Sequence, residues 1–115
     1  MTTMHNPLTW ADFEKVEMRT GTIVAVEAFP QARKPAYKLT IGFGEFGTRR
    51  TSAQVTALYT QDELIGKQVV AVVNFPPKQI AAFMSECLVL GAIAADGTVT
   101  LLQPERKTEN GQRIG

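Results

Sequence analysis

The feature that most constrains the fold is a run of strict alternation, YKLTIGF, at residues 37–43. Apolar residues occupy the odd positions of this run, and Lys38, Thr40 and Gly42 occupy the even positions. Successive side chains of a β-strand point to opposite faces, so this pattern predicts a strand with one buried face and one solvated face. The chain therefore has to build a sheet that covers a single core.

Further strands and two short helices are predicted around this run. A capping box that begins at Thr9 predicts a helix to about Val16, and a second box at Thr60 predicts one or two helical turns that end before Gly66. Gly21 is predicted to mark a bulge or bend in the first strand. β-branched and apolar runs predict strands at 18–29, 48–55, 68–75 and 86–93, and an Asp-Gly turn predicts a hairpin that returns at 98–102.

The predicted order is strand, strand, strand, short helix, strand, strand. This is the order of the OB-fold, an all-β, five-stranded Greek-key barrel with a helix between its third and fourth strands. An SH3-like or other small barrel is the alternative. We predict one domain over residues 1–115, with an N-terminal extension that carries a short helix (1–17) and a C-terminal arm (103–115).

Composition limits the choice of partners and compartment. Twelve basic and eleven acidic residues give a net charge of +1, so any nucleic-acid binding depends on where the charges lie. Cys87 is the single cysteine, which excludes an internal disulfide and favours a reducing compartment. The sequence has neither the pattern of a signal peptide nor an apolar stretch long enough for a membrane span, so we expect a cytoplasmic protein without membrane insertion.

The OB-fold prediction places a binding face on the second and third strands, flanked by two loops. From position 28 to 50 the chain has five basic residues and one acid, Glu45, a bias that suits phosphate binding. Phe75 and Phe83 could stack on unpaired bases. The predicted face comprises Arg33, Lys38, Arg50, Ser52, Gln54, Asn74, Phe75, Lys78, Phe83 and Ser85.

Each of these assignments has a structural alternative. Basic residues on a solvated strand often serve solubility and protect a sheet edge. Phe75 could anchor its loop in the barrel mouth, and Phe83 could pack in the core or, with Met84, cap the barrel end. The apolar residues of this loop could also form a protein-contact patch.

Catalysis is not expected. His5 is the only histidine, and no Cys/His cluster has the spacing of a metal site. Ser52 and Ser85 have no histidine partner in the expected ordered part. We therefore predict no enzyme activity, no cofactor and no metal, with an enzyme of unrecognised site as the remaining alternative.

Several segments carry a family resemblance over almost the whole chain from Asp12. They are DFEKVEMRTGTIVAVEAFPQARKPAYKLTIGFG, RRTSAQV, LIGKQVVAVVNFPPKQIAAFMSECLVLGA and LLQPERKTENGQRIG. The signature elements are the early Arg-x-Gly, the Ser-Ala-Gln of the third strand, Asn74 followed by prolines and Lys78, and the Ser-Glu at residues 85–86 that opens the fifth strand. The sequence resembles the CsaA-like secretion chaperones of the tRNA-binding-domain family, which also includes the C-terminal module of methionyl-tRNA synthetases and endothelial monocyte-activating polypeptide II-like domains.

The resemblance implies an OB-fold homodimer with two candidate activities. One is the binding of unfolded precursor polypeptides for export, and the other is the binding of tRNA as a module that presents structured RNA to a partner enzyme. Ser52, Gln54, Asn74, Lys78 and Ser85 match the family and carry over as binding residues. An apolar flap of Leu8, Trp10 and Phe13, together with the C-terminal arm, could cover a neighbouring subunit. The alternative is that both pack on their own barrel.

Overall fold

The computed structural model describes residues 6–115, so His5 lies outside the described part. Within residues 6–115, two short helices and nine strands follow one another, with one turn of 3-10 helix at Gly44–Phe46 between the second and third strands. The elements are α1 (Trp10–Lys15), β1 (Met18–Ala28), β2 (Tyr37–Gly42), β3 (Thr48–Ala53), α2 (Gln61–Leu64), β4 (Gln68–Val72), β5 (Lys78–Ile80), β6 (Phe83–Ser85), β7 (Leu88–Val89), β8 (Gly91–Ile93) and β9 (Val99–Leu101).

Five antiparallel strands form the main sheet in the order β3-β2-β1-β4-β7. The sheet curls until its edge strand β3 meets the segment before β7. There the Glu86 N–H donates to the Arg50 carbonyl at 2.7 Å, and the Arg50 N–H donates to the Glu86 side chain at 2.8 Å. The result is a nearly closed five-stranded barrel, which confirms the predicted OB-like fold.

The alternating run packs as its pattern predicts. Leu39, Ile41 and Phe43 have no exposed surface, and they meet Ile23 and Val69 from the neighbouring strands. Their apolar surface leaves water on folding and provides the main stabilisation of the barrel. Both predicted capping boxes are present, at Thr9 and Thr60.

The predicted bulge at Gly21 is wrong. Gly21 pairs regularly with Val69, and the register of β1 against β2 shifts instead between Ile23 and Ala25. The reason for a glycine at position 21 is close packing. A Cβ atom there would lie 2.6 Å from Ile41 Cγ2 and 2.7 Å from a ring carbon of Phe43.

The last third of the chain forms more and shorter strands than predicted. The loop at 74–86 contains the β5–β6 hairpin, whose turn holds Ala81 at φ 54°. The predicted strand at 86–93 breaks into β7 and β8, and β8 pairs with β9 in a separate two-stranded sheet. The break occurs at Leu90, whose N–H donates to the Val70 carbonyl while its own carbonyl accepts the Leu102 N–H.

The C-terminal arm binds its own barrel, which is the alternative to covering a neighbour. The Gly111 N–H donates to the Thr20 carbonyl at 2.7 Å, and the Ile114 N–H donates to the Met18 carbonyl at 2.9 Å. The Arg19 guanidinium, stacked 4.0 Å from the Phe46 ring centroid, donates to the Gly111 carbonyl. These hydrogen bonds hold the arm alongside β1.

The helix α1 does not pack into the core, because none of its residues is buried. Two side chains hold its C-terminal end in place with three hydrogen bonds. The Asn74 amide bonds the carbonyl of Lys15 and the N–H of Glu17, and Arg113 donates to the Glu14 carbonyl. In residues 6–115, no helix has the length and apolar character that crossing a bilayer requires.

Candidate binding face

The candidate site begins with the register of three neighbouring strands. Glu27 of β1 lies opposite Lys38 of β2, and Lys38 lies opposite Ser52 of β3. Arg50 follows on the same face, two residues before Ser52, because side chains two apart in a strand share a face. The solvated face predicted from the alternating run is therefore a row of polar and charged side chains.

Two cations of this row lie against aromatic rings. The Lys38 Nζ atom is 4.9 Å from the Phe29 ring centroid and 5.4 Å from that of Phe83, and the Arg50 guanidinium carbon is 4.7 Å from the Phe83 centroid. Such contacts hold a cation in place while the cation keeps hydrogen-bonding capacity toward a ligand. We call the cavity beside them the cationic pocket; it measures about 190 Å³ and is lined by Phe29, Gln31, Lys38, Arg50 and residues 81–83.

The role predicted for Phe83 as a stacking platform does not fit its placement. Phe83 is 5% exposed, and its ring meets the Phe29 ring edge-on with the centroids 5.4 Å apart. With Lys38 and Arg50 against the ring, no open face is left for a base, and the packing alternative describes Phe83 better. Phe75 has 55% of its surface exposed and is available to a ligand.

Sequence reasoning missed two residues of this site, Glu27 and Phe29. The Glu27 carboxylate accepts from Arg50 at 3.0 Å, so it neutralises part of the charge on the face. Phe29 is 4% exposed and forms the floor under Lys38. The register of β1 against β2 puts residue 27 beside residue 38, and the sequence alone does not fix that register.

The β5–β6 hairpin brings the distant part of the chain to β3. Lys78 pairs with Ser85, and the Ser85 hydroxyl lies 2.9 Å from the Thr51 hydroxyl. Thr51, 1% exposed, also donates to the Cys87 carbonyl at 2.7 Å. The hairpin that carries Lys78 and Phe83 therefore packs beside the strands that carry Lys38 and Arg50.

Two predicted residues lie apart from this group. Arg33 is exposed in the β1–β2 loop. Asn74 is committed to the chain itself, since both polar atoms of its amide bond the backbone at the end of α1. Those bonds give Asn74 a role in fixing the N-terminal extension.

Ser52 and Gln54 border a second cavity, which we call the apolar trough. It measures about 290 Å³ and is lined by residues 52–55, β7, Gly91, Ile93, Val99 and Leu101. The trough occupies the opening between β3 and β7, the two edge strands of the main sheet. Its walls are aliphatic, and Leu88 and Ile93 keep 48% and 76% of their surface exposed.

Cys87 lies next to the site but is not part of its chemistry. Burial raises the pKa of its thiol to about 11, although the charge of Arg49 and the Thr51 hydroxyl act in the opposite direction. A thiol of this kind is a poor nucleophile at neutral pH. Within residues 6–115, no group of three or more His, Cys, Asp or Glu side chains is placed to hold a metal ion.

We expect the raised pKa of Cys87 to make stability depend on pH. Between pH 9 and 11 the unfolded chain releases the thiol proton while the folded chain keeps it, so the free energy of unfolding falls as pH rises. Two pKa units correspond to a loss on the order of 2–3 kcal/mol. Urea unfolding of wild type and Cys87→Ala across this range gives the free energy of unfolding at each pH, and its slope against pH can be compared between the two proteins. Parallel curves for the two proteins would contradict the assignment.

The family model and the curated relatives that match this chain agree with each other. Residues 18–113 match the family model described as "Putative tRNA binding domain". The methionine–tRNA ligase of Methanococcoides burtonii is 36% identical over 107 residues, which are 93% of this chain and 16% of that protein. The chain thus spans about one sixth of the length of that ligase.

Two solved structures match over their full length. The chaperone CsaA of Bacillus anthracis is 47% identical, with a TM-score of 0.92 over 96% of this chain and 100% of that one. The CsaA chaperone protein of Picrophilus torridus is 54% identical, with a TM-score of 0.89 over 95% of this chain and 100% of that one.

Proposed function

The chain belongs to the tRNA-binding-domain family, and from that premise we propose that it acts in the cytoplasm as a homodimeric, CsaA-like chaperone that binds unfolded precursor polypeptides for export. The observation that carries this proposal is the composition of the binding face. Cations held over buried aromatic rings lie beside an aliphatic trough, and Phe75 adds an exposed aromatic side chain in the loop after β4. The similarity to the two CsaA chaperone structures over their full length supports the same assignment.

The physical basis is a mixture of apolar and charged contacts. An unfolded polypeptide offers apolar side chains, and burying them in the trough or against Phe75 releases water. Lys38 and Arg50 add attraction for acidic or polar flanks. Each contact is small, so binding is weak and tolerant of sequence, which a chaperone needs for release. The site requires no nucleotide.

The second candidate function is tRNA binding in support of a partner enzyme. It is favoured by the cations of the face, Lys38, Arg50 and Lys78, and by the similarity to methionine–tRNA ligases. The ion pair between Glu27 and Arg50 works against it, because phosphate has to compete with a carboxylate already in place.

A salt series distinguishes the two functions. Phosphate contacts release counterions, so tRNA affinity should fall steeply with salt, whereas apolar capture of a polypeptide should change little. We expect a reduced, alkylated protein that stays unfolded to bind with a nearly flat salt dependence, and Phe75→Ser to weaken that binding. Fluorescence anisotropy against tRNA and the unfolded protein, on one preparation, measures both.

The matched variants are Arg50→Gln and Arg106→Gln, because each arginine pairs with a glutamate and Arg106 lies on the C-terminal arm, outside the lining of the cationic pocket. If RNA is bound at the face, Arg50→Gln lowers the log-log salt slope by about one and Arg106→Gln leaves it unchanged. A wild type that ignores unfolded protein and binds tRNA with a steep slope would refute the chaperone proposal.

A further inference from the structure

The cationic pocket and the apolar trough share a boundary along β3. Lys38, which lines the pocket, lies directly opposite Ser52, which lines the trough. Cross-strand neighbours of this kind have Cβ atoms about 5 Å apart. Arg50 lies in β3 on one side of Ser52, and Gln54 directly follows the end of β3 on the other side. One extended ligand can therefore contact both cavities.

The distance between them corresponds to a few residues of extended chain. Arg50 to Gln54 covers four residues, or about 13 Å at 3.3 Å per residue. The trough, at about 290 Å³, lies near the lower end of the roughly 300–1,000 Å³ of pockets that hold whole small molecules. That size suits one or two apolar side chains.

From these placements we infer that the face recognises a bipartite polypeptide segment, in which an acidic side chain sits two to four residues from a large apolar one. The acidic group binds at Lys38 and Arg50, where it exchanges with Glu27, and the apolar side chain enters the trough beside Leu88. Ser52 and Gln54 lie between the two and are placed to bond the intervening backbone. This inference rests on the proposed polypeptide binding and specifies which segments are bound.

The walls of the trough favour a polypeptide over RNA as the occupant. They are formed by Leu88, Val89, Ile93 and Val99, with no aromatic side chain among the lining residues. Nucleobases are held mainly by stacking on aromatic rings. The exposed ring of Phe75 is not part of the trough.

The test uses labelled twelve-residue peptides that carry one glutamate and one leucine in a Gly/Ser background, with the spacing varied from one to eight residues. Anisotropy should give the tightest binding at a spacing of two to four residues, about fivefold tighter than at eight. Leu88→Ser should weaken the best peptide about tenfold and have no effect on a peptide whose leucine is replaced by serine. Arg50→Gln should likewise weaken the best peptide and have no effect on a peptide whose glutamate is replaced by serine.

The matched control is Leu102→Ser. Leu102 is 46% exposed, close to the 48% of Leu88, and it follows Leu101 in sequence with its side chain on the other face. Thermal melts of both variants check that the fold is intact. Equal affinities at every spacing, or equal losses for Leu88→Ser and Leu102→Ser, would overturn the inference.

Two further measurements keep the inference separate from the proposed function. If a long unfolded protein binds and spacing has no effect, the chaperone proposal stands and the bipartite site does not. If spacing matters and the long unfolded protein does not bind, the site stands and the chaperone proposal fails. An oligouridine that loses as much affinity as the peptide on Leu88→Ser would put a base in the trough and overturn the inference.

Discussion

Replacing Trp10 with serine is expected to convert a dimer into a monomer. Trp10 is 81% exposed and Leu8 70% exposed in the single chain, and Trp10 meets Phe13 edge-on at 6.5 Å. Two adjoining cavities, of about 380 and 520 Å³, are lined by Trp10, Phe13 and the C-terminal Gly115. A six-residue helix with no buried side chain is not stable by itself. We propose that a second copy covers this surface.

The expected size of the effect follows from symmetry. A buried tryptophan in an interface contributes about 2 kcal/mol or more, and in a twofold dimer both copies lose it. The dissociation constant should rise on the order of a thousandfold. Sedimentation velocity between nanomolar and micromolar concentrations measures the shift. Leu58→Ser is the control, since Leu58 is also exposed, at 49%, but lies outside the flap. A wild type that remains monomeric at micromolar concentration would contradict the proposal.

Local patterns predicted those parts of the fold that depend on local physics. The alternation at 37–43 and the capping boxes at Thr9 and Thr60 involve neighbours in sequence, so their signals are complete within a few residues. The β5–β6 hairpin was missed for the opposite reason. Its turn holds Ala81 rather than glycine at positive φ, and its docking depends on Arg50 and Thr51, which come from β3.

The site was predictable as a surface but not as a set of contacts. Strand alternation was sufficient to place Lys38, Arg50 and Ser52 on one face. It could not indicate that the Phe83 ring would be covered by two cations, or that Asn74 would bond the end of α1. Both depend on the three-dimensional path of a loop whose sequence has no periodicity. Charge neutralisation by Glu27 needed the register of β1 against β2, which sequence alone leaves free by one residue in either direction.

Gly21→Ala is expected to destabilise the barrel by overpacking its core. The added Cβ would lie within 3.0 Å of Ile41 and Phe43, two side chains without exposed surface that have no free direction in which to move. Overpacking of this kind costs about 1–3 kcal/mol, and the better strand propensity of alanine offsets only part of it. A net loss of about 2 kcal/mol should lower Tm by about 8 °C.

Gly42→Ala is the matched control, because its Cβ would be 3.7 Å from Val24 at the nearest point, an ordinary contact. Calorimetry of the two variants should therefore give a large decrease for position 21 and little change for position 42. Equal melting temperatures would mean that the core around Phe43 relaxes more freely than its complete burial implies.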